Sequence, residues 1–115
     1  MIFERGGIYL AKLYPIRGHE VGKTRPVLVL QSDILNRVGH TTVIVVPLTT
    51  QCIDDAFPLR YRIEPRDRLQ KRSDVLCDQI RAIDHRRMQP ESLTKLREEE
   101  IWQIEEQIKL ILDFR

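Results

Sequence analysis

Two apolar segments of this chain are flanked by side chains that donate hydrogen bonds. Arg25 stands directly before the run Pro26 to Gln31 (PVLVLQ), and a second run covers Thr41 to Pro47 (TTVIVVP). The donors that follow the second run are Thr49, Thr50 and Gln51. Neighbouring strands joined by a modest connection usually pair antiparallel, so the start of the first strand lies beside the end of the second. The pattern predicts that a guanidinium, two hydroxyls and an amide converge at one end of a sheet.

Such a cluster of donors suits one chemistry in particular, the stabilisation of charge that builds on a phosphoryl group. RNA brings its own nucleophile, the 2′-hydroxyl, so the protein supplies little beyond orientation and positive charge, and no cofactor is expected. The general base stays open between Glu20 and a transient role of Arg25, because a guanidinium titrates above about 12. A second interpretation also stays open: Arg25 pairs with Glu20, and the threonines cap a turn through local hydrogen bonds.

The charged residues are unevenly distributed along the chain. Met1 to Pro90 carries 15 Lys and Arg against 10 Asp and Glu, whereas the last 25 residues carry 4 against 7. Fourteen of the 19 basic residues are arginine, whose planar fork of donors suits phosphate and carboxylate. This composition favours an anionic ligand on the first ninety residues, although a solvated arginine-rich surface explains it equally well.

Length and composition predict one folded domain over residues 1–115. Hydrophobic residues make up 42% of the chain, enough for a core. Cys52 and Cys77 lack the spacing of a zinc site or a disulfide framework, so reduced thiols in a cytoplasmic protein are expected. No apolar run approaches the ~20 residues that span a bilayer, and the N-terminal segment lacks a signal-peptide pattern. Neither membrane insertion nor secretion is expected.

Short segments of strand pattern precede a single helical pattern. The predicted strands cover Gly7 to Leu13, Pro26 to Gln31, Thr41 to Pro47, Pro58 to Glu64 and Val75 to Ile83, the last as one bent strand or as two. In PLRYRIE the alternation predicts that Arg60 and Arg62 face water. The alternate residues Leu59, Tyr61 and Ile63 are expected to face inward.

The C-terminal segment has the period of an amphipathic helix, from about Glu98 to Asp113. Its apolar positions are Ile101, Ile104, Ile108, Ile111 and Leu112. Three glutamates occupy the first turn, where exposed N–H groups favour negative charge. Leu93 to Leu96 is compatible with either a strand or an earlier turn of this helix. Five or six strands followed by one helix predict a mostly β, α+β fold, a small antiparallel barrel or strongly curled sheet carrying one helix.

The order of several motifs resembles a known family. The segments RGGIYLAKL, GHEVGKTRPVLVLQSD, VIVVPLTTQ and SDVLCDQIRAID precede the amphipathic helix. Together they resemble the MazF/PemK family of toxin endoribonucleases over essentially the whole chain. The resemblance implies an SH3-like (PemK/CcdB-type) antiparallel β-barrel with a C-terminal α-helix and a homodimer. It also implies sequence-specific, metal-independent cleavage of single-stranded mRNA, leaving 2′,3′-cyclic phosphate and 5′-hydroxyl ends, and neutralisation by a cognate antitoxin.

The resemblance also implies roles for individual residues. The arginine of the RPV segment and the first threonine of PLTT form the family's catalytic pair, and they fall on Arg25 and Thr49. Glu20 and Gln79 match positions expected to line the RNA groove. The other candidates for RNA contact, taken from the donor cluster and the basic residues, are Lys23, Thr50, Gln51 and Arg81. Arg97 departs from the pattern, because it stands where the family commonly has Ser or Asp capping the last helix, a difference expected to affect stability.

Two other functions are compatible with parts of the sequence. The CcdB gyrase poisons use the same barrel and are similar locally at LQSDI and VVPL. They bind their target through a C-terminal Trp-Gly-Ile, whereas this sequence ends in ILDFR and has Trp102 earlier in the helix. A noncatalytic SH3-like binding module is the third possibility, and the convergence of Arg25 with Thr49 argues against it.

Overall fold

The computed structural model describes residues 2–13 and 23–114. A curled antiparallel sheet carries one long helix. Its strands are β1 (Gly7–Leu13), β2 (Lys23–Val29), β3 (Thr42–Thr49), β4 (Arg60–Ile63), β5 (Ser73–Leu76), β6 (Arg81–Asp84) and β7 (Met88–Lys95), and its helices are α1 (Asp33–Arg37) and α2 (Glu98–Leu112). The 3₁₀ turns Cys77–Gln79 and His85–Arg87 flank β6. Within the described ranges, no helix is long and apolar enough to cross a membrane.

Strand β3 lies at the centre of the sheet. It pairs with β2 along one edge, and along the other edge first with β6 and then, at its end, with β5. The strand order is β4-β5-β3-β2-β1-β7. The connection from β4 to β5 returns to β7, because the N–H of Arg68 donates to the carbonyl of Leu93 at 3.0 Å. The two ends of the strand order therefore approach each other, as in the predicted curled sheet.

Alternate residues of β2 and β3 pack into two separate cores, because successive side chains of a strand point to opposite faces. Leu28, Val46 and Leu48 pack with Ile104 and Ile108 of α2. On the other face lies the second core, whose members include Phe3, Tyr9, Val27, Val29, Val43 and Val45. Covering both faces explains why these two strands are apolar without alternation.

Most predicted elements are present, with shifted ends. Helix α2 ends at Leu112, one residue before the predicted end. Val75 to Ile83 contains parts of two strands separated by a 3₁₀ turn, one of the two alternatives left open. Leu93 to Lys95 is the end of strand β7, which removes the helical alternative for those residues.

The expectation of a single helix is wrong. Helix α1 covers Asp33–Arg37, and the Ser32 hydroxyl accepts a hydrogen bond from the N–H of Ile34 at 3.2 Å. Ser at the N-cap and Asp in the first turn are favourable starting signals, but five residues are too few to show a helical period. In the part of the chain that the structure describes, the sheet also has seven strands rather than five or six, and the strand that the prediction lacks is β7 (MQPESLTK), which has only two buried positions and no clear alternation.

The N-terminus of α2 is capped without a side-chain oxygen at Arg97. An arginine side chain has no acceptor, so it cannot receive a helix N–H. The Glu100 carboxylate instead accepts from the Arg97 N–H at 2.9 Å, which is half of a capping box. Arg66 holds that carboxylate with two hydrogen bonds of 2.7 and 2.6 Å. The departure at Arg97 is thus compensated by the third residue of the helix.

Candidate active site

Arg25 and Thr49 lie on neighbouring strands whose register relates them. Strands β2 and β3 pair antiparallel, with Val27 opposite Pro47 and Leu28 opposite Val46. Continuing this register by two residues sets Arg25 opposite Thr49. Directly opposite residues of an antiparallel pair project from the same face, with about 4.5–5.5 Å between their Cα atoms. The antiparallel pairing that the sequence predicts for these strands is present.

Arg25 is held by β1 as well as by its position before Pro26. The expectation that the strand starts at Pro26 is wrong: β2 starts at Lys23, because pairing with β1 extends it, with Ala11 opposite Arg25. Arg25 is therefore a half-buried residue within the strand. Lys23 is exposed and has a φ of 65°, a left-handed conformation uncommon outside glycine. Glu20, the remaining candidate in front of this strand, lies outside the described residues.

Thr49 ends β3, and its side chain is almost buried. The residue is 8% exposed, and its Oγ1 accepts a hydrogen bond from the N–H of Gln51 at 3.1 Å. Local turn capping, the second interpretation of the threonines, therefore holds for Thr49. A hydroxyl has one donor proton as well as its acceptor lone pairs, so this bond leaves the proton for another partner. The neighbouring side chains of Thr50 and Gln51 are exposed.

A buried carboxylate stands next to Thr49 on the other side. Asp74 of β5 lies opposite Thr49 and is 1% exposed. It accepts hydrogen bonds from Arg62 Nε, from the Ile53 N–H at 2.9 Å and from Arg60 Nη1 at 3.1 Å. Burial acts to raise the pKa of Asp74, but these hydrogen bonds outweigh it and hold the pKa below its usual 3.8. The carboxylate is therefore ionised at neutral pH.

The expectation that Arg60 and Arg62 face water is wrong. The register of β4 and β5 places Arg62 opposite Asp74, and Arg60 two residues away on the same face. Each guanidinium also binds the segment that follows β3: Arg62 pairs with Asp54 at 3.0 Å, and Arg60 Nη1 donates to the Gln51 carbonyl at 2.9 Å. Their partner was missed because the predicted strand began at Val75. An acidic residue beside an apolar strand, together with an Arg-x-Arg strand, was the available signal.

The burial of the other residues in the alternating segment PLRYRIE matches the expectation only in part. Ile63 is fully buried as predicted, and Tyr61 is half-buried. Leu59, expected to face inward, is 46% exposed. It precedes β4, so the alternation of the strand does not determine its direction. The Arg60 carbonyl is held by the side-chain amide of Gln107 in α2 at 2.9 Å, which fixes the backbone that carries the Arg60 guanidinium.

Three of the candidates for RNA contact border two separate hollows. Thr50 lines a groove of about 400 Å³ together with Pro26 and Lys71. Gln79 and Arg81 line a different hollow, of about 430 Å³, at the start of β6. Arg81 lies opposite Val45, four residues before Thr49 on β3. The structure therefore places Thr50 beside the middle of β2, and Gln79 with Arg81 along the other edge of β3.

Neither cysteine is bonded to another cysteine or belongs to a group of metal-binding side chains among the described residues. Both Cys52 and Cys77 are free thiols. Burial raises the pKa of Cys77 to about 12, so that thiol is chemically inert near neutral pH. Over residues 2–13 and 23–114, no three His, Cys, Asp or Glu side chains are arranged to hold a metal ion.

Comparison of the chain with known proteins gives consistent results. Residues 4–112 match the family described as PemK-like, MazF-like toxin of type II toxin-antitoxin system. The chain is 37% identical over 113 residues to Endoribonuclease EndoA of Bacillus subtilis (strain 168), which covers 97% of this chain and 96% of that relative.

Solved structures share the fold at lower identity. MazF from Deinococcus radiodurans (Form-I) is 23% identical, with a TM-score of 0.82 over 99% of both chains. An endoribonuclease in complex with its cognate antitoxin from Mycobacterial species is 22% identical, with a TM-score of 0.73 over 96% of this chain and 95% of that one. Because the family match extends over nearly the whole chain, this protein belongs to the PemK-like, MazF-like toxins of type II toxin–antitoxin systems.

Proposed function

We propose that this toxin is an endoribonuclease that cuts single-stranded RNA at specific sequences. The observation that carries the proposal is the antiparallel register of β2 and β3, which, extended by two residues beyond Val27 and Pro47, sets Arg25 opposite Thr49. The similarity to Endoribonuclease EndoA, which spans nearly the full length of both chains, supports the same activity. It also favours the nuclease over a gyrase poison or a noncatalytic binding module.

In the proposed reaction the RNA supplies the nucleophile. The 2′-hydroxyl loses its proton and its oxygen forms a bond to the adjacent phosphorus. At the same time the bond from phosphorus to the 5′-oxygen breaks, and that oxygen takes up a proton, which gives a 2′,3′-cyclic phosphate and a 5′-hydroxyl. Arg25 and Thr49 donate hydrogen bonds to the phosphoryl oxygens as negative charge accumulates on them. A guanidinium and a hydroxyl are sufficient for this electrostatic role, so the reaction is expected to need no metal ion.

The RNA would pass along the surface on both sides of the end of β3. The residues assigned to RNA contact are Glu20, Lys23, Thr50, Gln51, Gln79 and Arg81. Lys23 and Arg81 supply charge for the phosphates, whereas the amides of Gln51 and Gln79 can hydrogen-bond to base edges, which carry the sequence information. We further propose that the toxin acts as a cytoplasmic homodimer and that a cognate antitoxin neutralises it.

The direct test is incubation of the purified toxin with a long unstructured RNA in EDTA, followed by mapping of the new ends. Fragments with 5′-hydroxyl ends and a recurrent sequence at the cut support the proposal, and addition of the cognate antitoxin should stop the cleavage. Intact RNA beside inhibited DNA supercoiling by gyrase would overturn it in favour of the poison. Light scattering of the free toxin measures the oligomeric state.

A further inference from the structure

The segment that follows β3 is held at successive backbone positions by groups that meet at Asp74. The Asp74 carboxylate binds the N–H of Ile53 at 2.9 Å and Arg60 Nη1 at 3.1 Å. The same Arg60 nitrogen binds the carbonyl of Gln51 at 2.9 Å. The N–H of Gln51 in turn donates to Thr49 Oγ1 at 3.1 Å. A continuous path of hydrogen bonds therefore joins a buried carboxylate to the candidate catalytic hydroxyl.

We propose that Asp74 is a positioning residue, which acts through Arg60 and Gln51 to hold the Thr49 hydroxyl as a hydrogen-bond donor to the scissile phosphate. This inference rests on the proposed nuclease function, because it assigns Asp74 a part in that reaction without contact to the RNA.

The direction of the Thr49 proton follows from the bond that its oxygen accepts. With the Gln51 N–H on one lone pair, the hydroxyl cannot point its own proton toward Gln51 and must direct it elsewhere. Gln51 is an exposed residue after the end of a strand, so its backbone needs an external tie to keep this geometry. The bond from Arg60 to the Gln51 carbonyl is that tie, and Asp74 orients Arg60.

The charges of Asp74, Arg60 and Arg62 argue against direct contact between Asp74 and the RNA. An ionised carboxylate beside the phosphate position would repel RNA, but Arg60 and Arg62 both bind it and neutralise it. If the carboxylate acted only through repulsion, its removal would speed cleavage. Positioning predicts the opposite, that removal slows the chemical step while RNA binding is kept or becomes tighter.

The first experiment compares kcat and KM of the parent toxin with those of Asp74→Asn, which keeps the shape and removes the charge. We expect kcat to fall about 10- to 100-fold, since small displacements of a catalytic group cost up to ~10² in rate. KM should be unchanged or lower. Arg60→Lys is the second variant, because a lysine ammonium keeps a charge beside Asp74 but sits on a flexible stem, which does not hold one nitrogen between Asp74 and the Gln51 carbonyl as the rigid guanidinium holds Nη1. It should reduce kcat as well.

A double-mutant cycle separates positioning from an unspecific loss of order. In the Thr49→Val background no hydroxyl is left to orient, so adding Asp74→Asn should slow cleavage less than twofold further. The matched control is Glu100→Gln, which breaks another buried carboxylate–arginine pair, with Arg66, outside the path to Thr49. Glu100→Gln should leave kcat unchanged below its melting temperature.

The thiol of Cys52 gives a readout that does not depend on activity. Cys52 lies between the two tied residues, Gln51 and Ile53, and its Sγ lies 3.6 Å from the Arg72 carbonyl. Release of the segment in Asp74→Asn should raise the rate of Cys52 alkylation by iodoacetamide several-fold, with Cys77 unreacted.

The outcomes distinguish this inference from the proposed function. A parent toxin that cut no RNA would overturn the function and the inference with it. A parent that cuts RNA, beside a folded Asp74→Asn or Arg60→Lys with parental kcat, would overturn the inference alone. Additive losses in the cycle, or an unchanged rate of Cys52 alkylation, would do the same.

Discussion

Thr49 of β3 lies directly opposite Asp74 of β5, so a candidate catalytic hydroxyl and a carboxylate that is 1% exposed are cross-strand neighbours. These two residues belong to a cross-strand row of four. Asp74 is opposite Arg62 on β4, and extension of the β2–β3 register sets Arg25 on β2 opposite Thr49. Two members of this row are suited to meet a phosphate, and the other two neutralise each other. The donors for the substrate therefore lie on β2 and β3, and the ion pairs that support them lie on the neighbouring strands β4 and β5.

Replacement of Arg25 tests the electrostatic part of the proposed mechanism. Arg25→Ala should reduce the rate of RNA cleavage by about 10²–10³, the usual loss when one donor to a developing charge is removed. Arg25→Lys should recover only part of the rate, because an ammonium lacks the fork that binds two phosphoryl oxygens. Single-turnover cleavage measures both.

The control for Arg25 is Arg37→Ala, which removes an exposed arginine in the last turn of α1. Circular dichroism should show parental secondary structure for all three variants. Parental cleavage by a folded Arg25→Ala would refute the assignment of Arg25.

The Thr49 hydroxyl can be tested by a pair of substitutions of similar size. Thr49→Val removes the hydroxyl with little change in volume and should slow cleavage by about 10²–10³. Thr49→Ser keeps the donor and the acceptor for the Gln51 N–H, so it should stay within about tenfold of the parent. Thr50→Val, at the exposed neighbouring position, should affect KM more than kcat. Equal rates for Thr49→Val and Thr49→Ser would contradict the role of the hydroxyl.

The pairing of β2 with β3 could be predicted because strands that are buried on both faces appear in the sequence as uninterrupted apolar runs. PVLVLQ and TTVIVVP are apolar throughout, and their antiparallel pairing relates Arg25 to the residues after Val46. Helix α2 was equally accessible, since its isoleucines recur at the helical period and pack into the first core.

The support around Asp74 could not be predicted from the same rules. Alternation of apolar residues with arginine normally means a face toward water, but here a carboxylate from the next strand covers that face. The partner strand of β4 is determined by the topology of the whole sheet, and the alternation of residues within β4 does not reveal it. Helix α1 was missed because five residues are too short for a periodic signal.

The stability of the protein should depend on pH through Asp74. Its pKa is lowered from the usual 3.8 in the folded state, so its contribution to stability is complete above about pH 5 and is lost as the pH falls through the folded pKa. Asp74→Asn should therefore be less stable than the parent at pH 7, and the difference should shrink below about pH 4. Urea unfolding at several pH values measures this difference. A constant difference from pH 7 to pH 3 would contradict the assigned shift.

Loss of the Glu100–Arg66 pair should destabilise the fold without affecting the active site. Glu100 is 4% exposed, and it also caps the Arg97 N–H at the start of α2. Glu100→Gln leaves Arg66 without its carboxylate partner. Breaking a fully buried pair typically costs about 3–5 kcal/mol, and the loss here should be smaller because the Arg66 side chain is partly exposed and keeps some of its hydration. Thermal unfolding should show the loss, with cleavage at 25 °C unchanged. A parental melting temperature would mean that the pair contributes nothing measurable.

Lys23 should contribute to RNA affinity through its charge alone. Its side chain is exposed at the start of β2, two residues before Arg25, so it can reach the phosphate backbone of a bound RNA. For single strands the slope of log K against log salt changes by about 0.7 for each phosphate contact, so Lys23→Ala should reduce the slope by about that amount. Fluorescence anisotropy with an uncleavable 2′-O-methyl oligonucleotide measures this slope.

The control is Lys109→Ala, which removes a lysine paired with Glu106 on α2 and should keep the parental slope. Equal slopes for the parent and both variants would exclude Lys23 from the RNA contact, whereas a loss confined to Lys23→Ala places the RNA beside the start of β2.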